Sequence, residues 1–198
     1  MIGLTGSIGM GKTETGKLFS RLGIPVHDAD EVVHQLYEKD GAAVDAIARA
    51  FPGTVREGRV MREALAATVA GDEPAFRRLE AIVHPLVREA ELNFLDDATE
   101  RGDDLVVLDI PLLFETGGEK RMDVVVVVSA PPDVQRERVL SRGGMTLEKL
   151  EAIHARQIPD VDKRRKADFV IETDKGLEHA FAAVQRIVAE LRDRAARK

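Results

Sequence analysis

TGSIGMGKTE, residues 5 to 14, carries the pattern GxxxxGKT from Gly6 to Thr13, and each residue type in it has a chemical use. Glycines let a backbone come close to phosphate oxygens, and N–H groups at the start of a helix attract anions. A lysine beside them pairs with β- and γ-phosphates, and a threonine hydroxyl is a hard oxygen ligand for Mg²⁺. The phosphate cradle is therefore read at Gly6, Ser7, Ile8, Gly9, Met10, Gly11, Lys12, Thr13 and Glu14, with Thr13 facing the metal. The pattern leaves the use of the phosphate open: hydrolysis as a switch, work on a large partner, or transfer to a small molecule.

Further candidates follow along the chain. In HDADE, residues 27 to 31, Asp28 is placed to cap the next helix with Glu31 at N3, and Asp30 is placed to act on an acceptor hydroxyl as base or orienter. In VVLDIPLLFE, Asp109 ends an apolar run, where a carboxylate either anchors a loop or sits beside Mg²⁺ and its waters; site proximity is favoured over direct ligation. Arg136, Arg138 and Arg142, then Arg156 with Gln157, read either as a solvated basic face or as a lid that brings guanidinium groups to phosphoryl charge and excludes water. KRRK, 163 to 166, reads as a solvated turn in preference to a phosphate contact, and His84 in IVHPLV is either the residue ahead of a Pro-started helix or a contact for an anionic acceptor.

These side chains need elements to position them. Nearly continuous apolar runs at 2–5, 24–27, 105–110, 124–129 and 168–173 predict strands of a parallel sheet buried on both faces. After the first run, Thr15, Leu18, Phe19 and Leu22 fall at helical spacing and Gly23 stands as the stop, giving strand, Gly-rich turn and helix. Residues 31 to 100 show helical spacing, as in Val44, Ile47, Ala48 and Phe51 and again in Phe76, Leu79, Ile82 and Val83, without a strong strand signal. One crossover cannot use that much helix, so a helical insertion above the carboxyl edge of the sheet is expected. Pro131 to Lys166 is basic and helical, and Leu177, Phe181, Val184, Val188 and Leu191 predict a terminal helix packed on the sheet. The fold class is α/β: a P-loop NTPase fold with a parallel five-stranded sheet flanked by helices, a helical substrate-binding insertion and a helical lid.

Composition narrows the function classes. The 198 residues suffice for one well-buried core, and 44% hydrophobic with 32% charged residues is ordinary for a soluble domain. Zero cysteines exclude disulfides and thiolate metal sites, which leaves Mg²⁺ arriving with phosphates as the expected metal. A net charge of −6 argues against a general nucleic-acid surface. No apolar run approaches a membrane span and MIGLTGSIG runs straight into the motif, so neither membrane insertion nor secretion is expected, and the cytoplasm is. DxxG and NKxD elements of switch GTPases are not found, and the one asparagine, Asn93, lies in a helical stretch.

Taken together, IGLTGSIGMGKT, LGIPVHDADEV, IVHPLV, LDIPLLFE, VVVVVSAPPDVQRERVLSRGGMT, RQ at 156–157 and KADFVI resemble the dephospho-CoA kinase family, in order, from Ile2 to about Ile171. The resemblance implies transfer of the γ-phosphate of ATP to the 3′-hydroxyl of dephospho-CoA, giving CoA and ADP. It implies one domain over 1–198, with a core at about 1–30, 101–135 and 167–198, a CoA-binding insertion at about 31–100 and a lid at about 136–166. Position by position, Asp30 matches the catalytic base, Lys12 the P-loop lysine, and Arg138 a lid arginine that meets the phosphates with Arg142. His84, Asp109, Pro111, Leu112, Leu113 and Glu115 fall on the substrate side. The expected partners are ATP with Mg²⁺ and dephospho-CoA, for a monomer or weak homo-oligomer without nucleic acid or membrane. The chain departs from the family at Ser7, where a second glycine is usual, at His27, where a hydrophobic residue is usual, and at Thr173, where an asparagine is usual, so no adenine contact is assigned. Two alternatives remain: a P-loop kinase of another small acceptor, such as a nucleoside monophosphate or shikimate, and a non-enzymatic nucleotide sensor, against which Asp30 speaks.

Overall fold

The structure is a computed structural model that describes residues 1–197. In chain order its elements are β1 (Ile2–Thr5), α1 (Lys12–Arg21), β2 (Val26–Asp28), α2 (Ala29–Tyr37), α3 (Val44–Ala50), β3 (Val55–Arg56), β4 (Arg59–Val60), α4 (Arg62–Val69), α5 (Glu73–Arg101), β5 (Val107–Asp109), β6 (Val124–Ser129), α6 (Pro132–Leu140), α7 (Leu147–His154), α8 (Asp160–Lys166), β7 (Phe169–Glu172) and α9 (Leu177–Ala196), with a short 3₁₀ turn at Gly118–Arg121. All five strands expected from apolar runs form, and they make one sheet in the order β2-β5-β1-β6-β7. β1 pairs in parallel with β5 and β6, and β6 with β7. That is the α/β architecture expected.

Two compact units divide the chain: Met1–His27 with the chain from Glu100 onward, and Asp28–Thr99. In the first, the apolar runs bury Leu4, Val107, Val126, Val128 and Ile171, and α1 and α9 cover them with Leu18, Phe19, Val184, Ile187 and Val188. α1 stops where expected: the Gly23 N–H reaches the Ser20 carbonyl at 2.9 Å with φ at 76°, a value glycine takes without strain. Along α9, Val184, Val188 and Leu191 are buried, but Leu177 at its start is exposed. In a first turn it has no preceding turn of the helix to extend the apolar stripe.

The second unit closes around Ala43, Val44, Ile47, Phe51, Val60, Leu65 and Ala75, with Leu79, Ile82 and Leu86 packed alongside. The stretch is not wholly helical. Val55 pairs with Val60 across a hairpin whose central residues, Glu57 and Gly58, have φ of 50° and 74°, the turn type that matches strand twist. α5 also runs through Pro85, so no helix starts there and His84 lies mid-helix. Pro85 removes one helical hydrogen bond, the one to the Ala81 carbonyl, and both residues are exposed. Phe76, expected on the apolar face, is exposed instead.

Asp28 ends β2 and caps α2: its Oδ1 accepts from the N–H of Asp30 at 2.9 Å and of Glu31 at 3.1 Å. Asp28→Ala is expected to lower stability by about 1 kcal/mol, the usual worth of an N-cap. Urea unfolding with an unshifted midpoint would remove that role.

Candidate active site

The loop after Thr5 turns back into α1 at Lys12, and its path presses on neighbouring backbone. A Cβ on Gly6 would meet the Val128 carbonyl at 2.8 Å, and one on Gly9, whose φ is 77°, would meet Val139 Cγ2 at 2.6 Å. Side chains are excluded at both places, which keeps the loop's peptide groups as its working surface. Met10 turns its side chain into the core, 3% exposed, and its sulfur accepts from the Ala130 N–H at 3.1 Å. Ser7 is buried as well, while Thr13 and Glu14 are exposed in the first turn of α1.

Sheet register brings a partner to Lys12. Leu4 lies opposite Asp109, so β5 ends where the loop returns, and Lys12 Nζ donates to Asp109 Oδ1 at 2.5 Å. The lysine side chain is 13% exposed and the aspartate 1%. Charges this dry need each other, because either one alone would bear an uncompensated desolvation cost. The contact puts Asp109 beside the loop, the proximity to the site expected of it, and what it anchors there is the Lys12 ammonium.

Ile8 is held through both of its flanking peptide groups. Gln135 of α6 donates from Nε2 to the Ile8 carbonyl at 2.7 Å, and Gln157 accepts from the Ile8 N–H through Oε1 at 3.4 Å. Arg138, one turn further on α6, lays its guanidinium on Thr173, donating to Oγ1 at 2.9 Å and to the backbone carbonyl at 2.7 Å. The Thr173 hydroxyl in turn donates to the Met10 carbonyl at 2.9 Å. Beside this network lies a cavity of about 420 Å³ lined by Gly9, Gly11, Glu14, Arg138, Arg142 and Thr173, among others. Cavities of about 300–1,000 Å³ are the size range of small-molecule sites. Arg136 and Arg156 are exposed.

PLLFE divides its residues between tasks. The Pro111 carbonyl accepts from Thr5 Oγ1 at 3.2 Å and Leu112 is 41% exposed, but Leu113 has no exposed surface and packs with Phe114, Val125 and Val127. Glu115 Oε1 accepts from the Ile158 N–H at 2.8 Å and lies 2.9 Å from Lys163 Nζ. Burial raises the carboxyl pKa of Glu115, yet the Lys163 ammonium and the Ile158 N–H outweigh it and hold the value below the ordinary one. KRRK is accordingly not a turn: it ends α8, and its Lys163 is wholly buried.

Asp30 and His84 belong to the second unit. Asp30 is exposed in the first turn of α2, at the end of a helix that favours a carboxylate, and His84 is exposed on α5 with Glu80 3.9 Å away. The site therefore gathers Lys12, Asp109, Arg138, Arg142 and the loop within the first unit. Gln135 and Thr173 are members to which sequence reasoning gave no role, while Gln157 entered only beside Arg156 in the basic face or lid, and Lys163 only as part of a solvated turn. A weak signal existed for Lys163, since the Glu115 carboxylate and the densest basic run of the chain form a plausible charge pair.

Among the described residues no group of three or more His, Asp or Glu is placed to hold a metal ion by itself. Residues 1–179 match the family model described as Dephospho-CoA kinase. The dephospho-CoA kinase of Rhodopseudomonas palustris strain HaA2 is 57% identical over 188 residues, covering 95% of this chain and 94% of its own. The crystal structure of TT1252 from Thermus thermophilus superposes with a TM-score of 0.81 at 36% identity, covering 96% of both chains. A dephospho-CoA kinase from Campylobacter jejuni shares the fold, with a TM-score of 0.65 at 21% identity and 96% coverage of each chain.

Thr173→Val removes the hydroxyl between Arg138 and Met10 and keeps its shape. Loss of one hydrogen bond is worth about 0.5–1.5 kcal/mol, so ATP affinity is expected to fall about 2- to 10-fold, while Thr173→Ser stays close to wild type. Calorimetric titration with ATP decides it; equal affinity for the Val variant would mean that the network does not serve the nucleotide.

Proposed function

The chain belongs to the dephospho-CoA kinase family, and on that premise we infer that it is an ATP-dependent kinase that phosphorylates the 3′-hydroxyl of dephospho-CoA to give CoA and ADP. The observation that carries the reading is the Gly-rich loop with Lys12 already held at its mouth by Asp109, in a chain that bears the family's motifs in order. In the transfer, the 3′-oxygen forms a bond to the γ-phosphorus as the bond to the ADP oxygen breaks. We assign to the phosphates Lys12 and the amides between Gly6 and Thr13 other than those of Ile8, which donates to Gln157, and Met10, which donates to the Ser7 carbonyl; there they balance the charge of a loose transition state. Arg138 and Arg142 add guanidinium charge from α6 and the turn that follows it.

Asp30 is the proposed acceptor of the hydroxyl proton. An exposed carboxylate at a helix start is placed where it can both orient the hydroxyl and receive its proton. The insertion at about 31–100 is the proposed seat of dephospho-CoA, with His84 as a proposed contact for it; Pro111 and Leu112 are proposed acceptor contacts carried by the first unit. Leu113 and Glu115 act through packing and through α8, as their burial and contacts suggest. About 136–166 is the proposed lid that keeps water from the γ-phosphate.

Mg²⁺ fits the donor chemistry at the loop: the exposed Thr13 hydroxyl is a hard oxygen that, with phosphate oxygens and waters, suits an ion that keeps most of its water. When bound it neutralises charge across the β- and γ-phosphates. Among the described residues no helix is long and apolar enough to cross a membrane; the cytoplasm, and a monomer or weak homo-oligomer, are the proposed setting.

The test incubates protein, Mg·ATP and dephospho-CoA and follows ADP. Formation of ADP is expected to depend on dephospho-CoA, and ADP appearing equally fast without it would overturn the reading. Asp30→Asn is expected to bind ATP as wild type does and to lose about 10²–10⁴-fold in transfer, the usual worth of a positioned acid or base. Unchanged turnover would return Asp30 to a plain first-turn residue.

A further inference from the structure

Three observations around the segment Gln157–Lys163 remain outside the reaction just described. First, the Ile8 backbone sits between two glutamine side chains, with Gln135 on the carbonyl of the peptide after it and Gln157 on the N–H of the peptide before it. Second, Lys163 is 0% exposed with its ammonium 2.9 Å from Glu115 Oε1, while Glu115 Oε2 and Lys163 Nζ are buried without an aligned hydrogen bond among the described residues. Third, the same short segment is tied to the core twice more, by the Ile158 N–H on Glu115 at 2.8 Å and by Ser129 Oγ donating to Asp160 Oδ2 at 2.7 Å.

A buried, imperfectly satisfied ion pair is weak evidence for stability, since apolar residues of like volume often replace such pairs at no cost. Its use must then lie in where it puts the chain. Glu115 follows β5, the strand whose last residue, Asp109, holds Lys12. By gripping both the Ile158 N–H and Lys163, it fixes the chain on the carboxyl side of Gln157 relative to that strand. Gln157, directly before Ile158, is thereby delivered to the loop tip between Gly6 and Gly9.

We propose that Gln157 is a positioning residue for phosphoryl transfer, fixing with Gln135 the two peptide groups that flank Ile8, and that the buried Glu115–Lys163 pair sets its reach. The clamp rests on the kinase reading for its consequence. A loop whose two peptide groups at Ile8 cannot rotate presents its remaining amides to phosphate already oriented, and that preorganisation lowers the barrier without changing acceptor affinity. It follows that the lid proposed at about 136–166 narrows, since from Gln157 on the chain belongs to the fixed cradle. Whatever closes over the nucleotide lies before it, with α7, where Leu150 is the buried residue.

The experiment uses the full chain in four forms: wild type, Gln157→Leu, the double variant Glu115→Met with Lys163→Met, and the triple variant combining all three. Urea unfolding, kcat, KM for dephospho-CoA and amide hydrogen exchange of the loop peptide are measured on each. Gln157→Leu is expected to keep the unfolding midpoint and the KM, lose about tenfold in kcat, and speed exchange in the loop. The double variant is expected to keep or raise the midpoint and show the same loss and the same faster exchange. The triple variant is expected to be no worse than the double, because one clamp cannot be lost twice. Wild-type kcat in Gln157→Leu, or in a stably folded double variant, overturns the proposal, as does a triple loss equal to the product of the two. A double variant that fails to fold overturns the claim that the pair serves position before stability, and leaves Gln157→Leu to decide the clamp. The exchange readout needs no acceptor, so a wild type that ignores dephospho-CoA sinks the kinase reading separately from the clamp.

Discussion

The contact between Lys12 and Asp109 governs the geometry of the first unit. An ammonium that must meet phosphate has to be held at the loop before phosphate arrives, and in a place too dry for water to hold it. A buried carboxylate does this at 2.5 Å, and it can do so because β5 pairs with β1 in the register that sets Asp109 opposite Leu4. The register follows from apolar runs that must be covered on both faces. Around that pair, the backbone of the loop is confined by Val128 and Val139 on one side and fastened through Ile8 and Met10 to α6, β7 and the segment before α8.

The elements were legible wherever burial imposes a pattern on consecutive residues. VVVVVS forms β6 over its whole length, and Leu18 and Phe19 mark the buried face of α1. Legibility failed where an element is too short or too polar to show a period. Val55–Arg56 and Arg59–Val60 are two-residue strands, and their one signal, Glu57-Gly58 as a turn with positive φ, went unread. Pro85 misled in the other direction. A proline inside a helix costs one hydrogen bond and crowds the carbonyl four residues back, yet α5 runs on through Pro85, where both Pro85 and Ala81 face the exposed side.

At the site, the residues in GxxxxGKT were legible because their chemistry is local: strand, turn and helix are contiguous. Long-range partners were not. Nothing in RQIPD states that Gln157 meets Ile8, 149 positions away, and a run of four cations such as KRRK reads as solvated until the helix that contains it is seen to bury one member. Thr173 was noticed only as a departure from the family's asparagine. In the structure it is the hinge of a network, accepting from Arg138 and donating to the loop.

The family, the sheet and the phosphate loop agree on a donor site whose γ-phosphate goes to a hydroxyl and not to water. That claim is tested most directly by ³¹P NMR of the reaction of wild-type protein, Mg·ATP and dephospho-CoA. A new phosphomonoester signal on the 3′-carbon of the ribose should grow one for one with ADP. Growth of inorganic phosphate with ADP, and no 3′-monoester, would contradict it.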